Sequence, residues 1–208
     1  MPPYFKTINK LEKLIPGNTY HIFNKAIGTD KLFLTPNDYY YFLQKLERYI
    51  LPIADIISYC LIPNHFHLLV NLKEFDSLPT KLHKQYTDTP ELYISQVFSN
   101  FFNSYSKSFN KAHKRDGRLF LYPFKRIFVE DNDYMMFLIN YIHRNPIHHG
   151  IVKSFSEWEY SSYNAIISNK ETKVSREIVL DMFGSKEEFI TFHNENITKP
   201  EIEKYLLE

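Results

Sequence analysis

The chain has 208 residues, of which 44% are hydrophobic and 17% aromatic, and its 25 Lys and Arg residues almost balance its 24 Asp and Glu residues. This composition excludes a disordered chain, because enough apolar side chains are present to bury a sizeable core. No apolar run approaches the roughly 20 residues that span a bilayer, and the N-terminus has no signal-peptide pattern. The single cysteine, Cys60, excludes an intramolecular disulfide or a zinc site of several thiolates, and we expect it to be a buried strand residue.

Hydrophobic periodicity predicts seven main elements in the first 144 residues. In chain order they are strand 18–27, helix 36–50, strand 53–61, strand 65–72, helix 91–113, strand 119–129 and helix 131–144. Thr35 or Asn37, with Pro36, marks the start of the first helix. The βαββαβ order followed by a helix predicts an α+β fold, a ferredoxin-like sandwich in which two helices cover one face of an antiparallel sheet.

The remainder of the chain is predicted to contain one long connection and a helical C-terminal part. Residues 73–90 have no clear periodicity and are expected to form the connection. Residues 158–167 predict a further helix, and residues 174–193 predict one or two small helices. We therefore divide the chain into a main domain at residues 1–168 and a helical C-terminal extension at residues 169–208.

The most informative motif is the triplet His65-Phe66-His67 in the third predicted strand. Because side chains alternate across a strand, both imidazoles lie on one face and Phe66 lies on the other. Two neighbouring neutral imidazoles on a rigid strand form a bidentate platform for a metal ion. The triplet alone also fits two hydrogen-bonded or solvent-facing histidines on a half-buried strand.

A second motif surrounds Tyr141, about seventy residues later. Asp131 is predicted to cap the helix that carries it, and Pro146 predicts that regular helix ends at or before Asn145. Tyr141 then lies in the last turn, with Asn145 one turn beyond it on the same face. A hydroxyl and an amide oxygen could be presented together to a bound group, although one of 16 tyrosines could equally belong to the core.

The histidines near these motifs that are not assigned to the metal are not expected to act in catalysis. His143, His148 and His149 are expected on or just after the tyrosine helix, where they contact phosphate or solvent. His21 lies in the first predicted strand and is taken as a structural residue.

Positive charge is concentrated in one stretch, although the formal net charge is only +1. Between residues 107 and 126 the only acid is Asp116, so this stretch is predicted to follow phosphates. Its aromatic side chains could stack on unpaired bases or belong to the core; they are Tyr105, Phe109, Phe120, Tyr122 and Phe124. The candidate nucleic-acid-binding residues are Lys107, Lys111, Lys114, Arg115, Arg118, Lys125 and Arg126, together with Arg144 beside the tyrosine motif.

Four motifs in order resemble the REP-associated tyrosine transposases, which belong to the single-tyrosine HUH transposases. The motifs are residues 63–70 around the two histidines, residues 117–120 leading to 124–126, residues 141–146 with Gly150, and residues 158–163. The resemblance covers roughly residues 18–165. The connection at 73–90 looks longer than in many relatives, so DNA contacts are not transferred to it.

The resemblance implies a metal-dependent enzyme that nicks and rejoins hairpin-bearing single-stranded DNA. By similarity, Tyr141 is the nucleophile that forms a 5′-phosphotyrosine intermediate. His65, His67 and Asn145 are the metal ligands, and this donor set suits Mg²⁺ or Mn²⁺, with zinc also possible because imidazole binds it tightly. The implied partner is single-stranded or hairpin DNA, without a membrane. The protein would be a monomer or homodimer in the cytoplasm, associated with the nucleoid.

Two other functions fit parts of the pattern. One is a catalytically silent or domesticated protein of the same fold that binds hairpin DNA. The other is an unrelated metal hydrolase built on the His-x-His pair, which is weakened by the lack of an acidic third ligand near the pair and by a chain too short for a typical barrel of about 250 residues. The residue pattern leaves open whether the tyrosine helix serves its own subunit or a partner.

Overall fold

An antiparallel sheet of four strands forms the centre of the protein in a computed structural model that describes residues 12–78, 82 and 89–195. The strands are β1 (Thr19–Lys25), β2 (Ala54–Ile62), β3 (His65–Leu72) and β4 (Lys125–Val129), and their spatial order is β2-β3-β1-β4. Helices α1 (Pro36–Tyr49) and α2 (Pro90–Ala112) complete the βαββαβ order. The predicted ferredoxin-like α+β fold is confirmed.

The two faces of the sheet bury two separate hydrophobic clusters. On one face, Phe66 and Leu68 of β3 pack with Phe42 of α1 and Phe101 of α2. On the other face, Leu69 packs in a second cluster with the helix that follows β4 and with the C-terminal helices. Alternation along β3 therefore directs the side chains of His65 and His67 toward this second cluster, since they share the face of Leu69.

Helix α1 begins where the sequence predicts. Thr35 is its N-cap, Pro36 is its first residue, and the Asp38 carboxylate accepts a hydrogen bond from the Thr35 backbone N–H at 2.8 Å. Strand β4 is shorter than predicted, because Phe120 forms only an isolated bridge with Ala26 and the strand starts at Lys125. Pro123 lies between them and has no N–H to donate to a strand ladder.

Helix α3 (Asn132–His148) carries the tyrosine motif and extends beyond its predicted end. Asp131 caps it as expected, accepting from the Tyr134 N–H at 2.7 Å. The helix passes through Pro146 and ends in a Schellman turn, in which Gly150 N–H donates to the Ile147 carbonyl and Ile151 N–H donates to the Pro146 carbonyl. Gly150 has a φ of 67°, the left-handed conformation that this turn requires. The expected end at or before Asn145 is therefore wrong.

Three further helices follow, α4 (Tyr163–Ile167), α5 (Arg176–Phe183) and α6 (Lys186–Asn194). The helix predicted at 158–167 is thus shorter than expected, whereas 174–193 forms two helices as expected. Short 3-10 turns lie at Phe75–Ser77 and Phe155–Glu157. Half of the predicted connection at 73–90, residues 79–81 and 83–88, lies outside the described residues. No helix in the described ranges is long and apolar enough to cross a membrane.

A chain of buried hydrogen bonds joins α6 to α3 and β2. His193 Nδ1 lies 2.8 Å from the Phe189 carbonyl, which can only accept, so its Nε2 accepts from His143 Nδ1 at 2.9 Å. His143 Nε2 then accepts from the Ser162 hydroxyl at 2.7 Å, with Ser58 Oγ at 3.1 Å. His143 is only 1% exposed, so the expectation that it contacts phosphate or solvent is wrong.

Acid is expected to lower the free energy of unfolding, because it would protonate His193 within these buried hydrogen bonds. Burial lowers the pKa of His193 to about 4, against about 6.5 when unfolded. Between these values the unfolded state binds the extra proton, so the free energy of unfolding decreases as the pH falls from about 7 to 4. His193→Leu should lower that free energy at pH 7 by roughly 1–3 kcal/mol, because the His143 N–H loses its acceptor, and should flatten the pH dependence.

Urea unfolding at pH 7 and pH 5 measures both effects. His148→Leu is the control, since His148 is exposed at the end of α3. If the free energy of unfolding depended on pH identically in the His193→Leu variant and the unchanged protein, the acid sensitivity could not be assigned to His193.

Candidate metal and nucleophile site

The two histidines of β3 lie side by side beneath helix α3. His65 and His67 are 3% and 1% exposed, and their ring centres are 5.1 Å apart with the planes almost perpendicular. Their strand is an inner one: His67 pairs with Phe23 of β1 and with Cys60 of β2. Strands on both sides therefore fix the backbone that carries the two imidazoles.

Helix α3 places Tyr141 and Asn145, the two predicted partners, next to the two histidines. The Oδ1 atom of Asn145 lies 2.8 Å from His65 Nε2, and its Nδ2 atom lies 3.3 Å from His67 Nε2. The ring of Tyr141 is 5.5 Å from the ring of His67, in an edge-to-face arrangement. Tyr141 and Asn145 thus face the histidine pair from one side of α3.

Burial keeps both imidazoles neutral at pH 7. It lowers the pKa of His65 to about 4, an effect that the hydrogen bond with Asn145 partly offsets. It also holds the pKa of His67 well below the ordinary value, helped by the neighbouring His21. A neutral imidazole has a lone pair available for a metal without competition from a proton.

Two side chains behind the histidines orient their rings. His65 Nδ1 lies 2.9 Å from Asn64 Oδ1, and His67 Nδ1 lies 2.9 Å from His21 Nε2. When His65 donates its Nδ1–H to Asn64, the lone pair on its Nε2 faces the Asn145 amide 2.8 Å away and is available to a cation bound there. Such partners set the tautomer of metal-binding histidines. The sequence analysis missed both, because Asn64 fitted a turn and His21 fitted a strand.

A metal ion at this position would find a third donor in the amide of Asn145. In the parts of the chain that the structure describes, no three His, Cys, Asp or Glu side chains form a metal cluster. Cys60 is buried in β2 as expected, and burial raises the pKa of its thiol well above the ordinary value. A protonated thiol is a poor ligand, so Cys60 does not replace Asn145.

A groove of about 610 Å³ lies between α2 and residues 117–124. Phe102 and Phe120 line it, and Tyr122 beside them is 82% exposed. Of the aromatic side chains considered for stacking, only Tyr122 is exposed, whereas Tyr105, Phe109, Phe120 and Phe124 are buried in the core. Four of the predicted basic residues lie exposed on or beside this groove: Lys107, Lys111, Lys114 and Arg118.

Three other predicted basic residues are bonded within the protein. The Arg115 guanidinium pairs with Asp30, and that of Arg126 donates to the backbone carbonyl of Glu12. Arg144 donates to the carbonyl of His193 at 2.8 Å and stacks 5.1 Å from the ring centre of Phe155. Arg144 of α3 is thus hydrogen-bonded to the end of α6. Lys125 is half-buried at the start of β4.

Comparisons with known proteins agree with this architecture. No family model matches the chain. A Haemophilus influenzae protein named "Putative REP-associated tyrosine transposase" is 26% identical over 115 residues, which are 53% of this chain and 59% of that relative. A solved structure described as a REP-associated tyrosine transposase bound to a REP hairpin aligns over 81% of this chain and 87% of its own, with a TM-score of 0.54 and 18% identity. The chain is therefore similar in sequence to a REP-associated tyrosine transposase and shares the fold of one.

Proposed function

We propose that the protein nicks and rejoins single-stranded DNA that carries a hairpin, through a covalent link to Tyr141 and with a divalent metal. The observation that carries the proposal is the convergence of Tyr141 and Asn145 on His65 and His67. A protein that only binds DNA has no chemical need for this set. The similarity to a REP-associated tyrosine transposase supports the choice of hairpin DNA as the substrate.

The residues present fit a divalent cation. The Asn145 amide oxygen lies 2.8 Å from His65 Nε2. Neighbouring ligands with bonds of ~2.1 Å around an octahedral cation are also about 3 Å apart. His65, His67 and Asn145 would hold the metal. When bound, it would neutralise charge on the scissile phosphate and on the departing 3′ oxygen.

In the proposed reaction the Tyr141 oxygen forms a bond to phosphorus as the bond from phosphorus to the 3′ oxygen breaks. The tyrosine loses its proton, and the 3′ oxygen becomes a hydroxyl. The products are a 5′-phosphotyrosine and a free 3′ end. Because one phosphate ester replaces another, the 3′ hydroxyl of a different strand can attack the phosphotyrosine and be joined without ATP.

The exposed basic side chains around the groove would hold the DNA. Lys107 and Arg118 line the groove itself, and the exposed ring of Tyr122 offers a surface on which an unpaired base can stack. The groove also reaches the end of β1, because Asn24 lines it and Lys25, the next residue, pairs with His65 across the sheet. Asn24 shares the sheet face of Phe66, so the groove lies on the face opposite the histidine pair, and DNA held in it would pass around the end of β1 to reach His65 and His67.

Binding of hairpin DNA is expected to weaken steeply with salt, because each neutralised phosphate releases a counterion. Removing two phosphate contacts with the double variant Lys107→Ala/Arg118→Ala should lower the slope of log K against log salt by about 2. Titrations with a labelled hairpin at several salt concentrations measure the slope.

The double variant Lys170→Ala/Lys173→Ala is the matched control. It removes the same net charge from exposed positions distant in sequence from the groove. An equal loss of slope in both double variants would show a general charge effect and would contradict the proposed surface. Stronger binding to perfect duplex of the same length would count against hairpin DNA as the substrate.

A further inference from the structure

The extension of α3 through Pro146 places a third side chain in line with Tyr141 and Asn145. His149 caps the helix, and its backbone N–H donates to the Asn145 carbonyl at 3.0 Å. Positions 141, 145 and 149 follow one another at four-residue steps, so they lie on the same face of the helix. This is the face that meets His65 and His67.

The ring of His149 lies next to the ring of His65. Its centre is 5.0 Å from the ring centre of His65, with an interplanar angle of 68°. This separation resembles the 5.1 Å between His65 and His67. Two imidazoles that share one cation with metal–nitrogen bonds of ~2.1 Å have ring centres about 5 Å apart. The separation of the two rings is therefore compatible with His65 and His149 binding one cation.

His149 differs from the other three donors in its exposure. His65, His67 and Asn145 are 3%, 1% and 2% exposed, whereas His149 is an exposed residue at the rim of the site. The three imidazoles do not already form a cluster among the described side chains, so the His149 ring must turn toward the pair to bind with it. A surface side chain changes rotamer at little cost.

We propose that His149 is an additional, outer ligand of the cation that His65, His67 and Asn145 would hold. This inference rests on the proposed function. A third imidazole makes the donor set richer in nitrogen, which favours Mn²⁺, Co²⁺ and Zn²⁺ over Mg²⁺, since Mg²⁺ prefers oxygen ligands. The site would therefore be selective for transition metals.

Direct metal binding to the full chain tests the inference without DNA or activity. Calorimetry with Mn²⁺ and Mg²⁺ gives the two dissociation constants, and the absorption spectrum of bound Co²⁺ reports its coordination geometry and changes when a ligand is lost. His149→Ala should raise the dissociation constant for Mn²⁺ by about tenfold or more, raise that for Mg²⁺ less, and change the Co²⁺ spectrum. His148→Ala is the matched control, because His148 is also exposed and is the neighbouring residue, but it lies on a different side of the helix from positions 141, 145 and 149.

The outcomes separate this inference from the proposed metal site. If His65→Ala and His67→Ala abolish Mn²⁺ binding while His149→Ala leaves the affinity and the Co²⁺ spectrum unchanged, His149 is not a ligand and only this inference fails. If the unchanged protein binds none of the cations, the proposed metal site and this inference both fail. Weaker DNA binding by His149→Ala with unchanged metal binding would assign it to DNA and overturn the inference.

Discussion

Replacing Tyr141 by Phe is expected to eliminate covalent attachment of the protein to DNA. The substitution removes only the hydroxyl that would attack phosphorus, and the ring keeps its edge-to-face contact with His67. Strand cleavage should fall by at least about a thousandfold, as expected when a nucleophile is lost. A hairpin substrate labelled on the 3′ side of the break leaves its label on the protein, because tyrosine takes the 5′ phosphate, and a denaturing gel measures the adduct.

Tyr134→Phe is the matched control. Tyr134 lies on the same helix, seven residues before Tyr141 and therefore on a similar face, but two turns away from the histidine pair. Its variant should form the adduct at the normal rate. An adduct that persists in Tyr141→Phe, or that mass spectrometry places on another tyrosine, would refute the assignment. Cleavage without any adduct would indicate that water is the nucleophile and would favour a hydrolase.

The parts of the site that local sequence rules govern could be predicted. Alternation on β3 placed His65 and His67 on one face, and the four-residue step on α3 placed Asn145 beside Tyr141. The sequence analysis did not align His149 with Tyr141 and Asn145, because the weight given to Pro146 ended the helix too early. The signal was present in Gly150, since a glycine just after the last helical residue is typical of a Schellman turn.

The roles that depend on distant contacts could not be predicted. Arg144 stands beside the tyrosine motif in sequence, but its guanidinium is held by carbonyl groups about fifty residues further along the chain. Arg115 is likewise bonded to Asp30, far away in sequence. A charge count along the sequence cannot distinguish such internally bonded cations from exposed ones like Lys107. The fold therefore reduces the candidate DNA surface to fewer basic residues than the composition suggests.

Removing the metal is expected to stop cleavage while DNA binding persists. An excess of chelator should abolish nicking by the unchanged protein, and Mn²⁺ or Mg²⁺ should restore it, because a tyrosine hydroxyl, whose reference pKa is near ~10, is a weak nucleophile without a polarised phosphate. Hairpin binding should change little, since the basic side chains at the groove do not contact the histidine pair. Gel shifts and nicking assays on the same samples measure both properties.

The double variant His65→Ala/His67→Ala should behave like the chelated protein and should not recover when metal is added. Both side chains are buried, so the double variant also loses packing, and hairpin affinity together with a thermal melt shows whether it remains folded. His65→Asn, a smaller change, removes one imidazole ligand and should raise the metal concentration needed for nicking. Undiminished nicking in excess chelator, or by a folded double variant, would refute the metal-dependent mechanism.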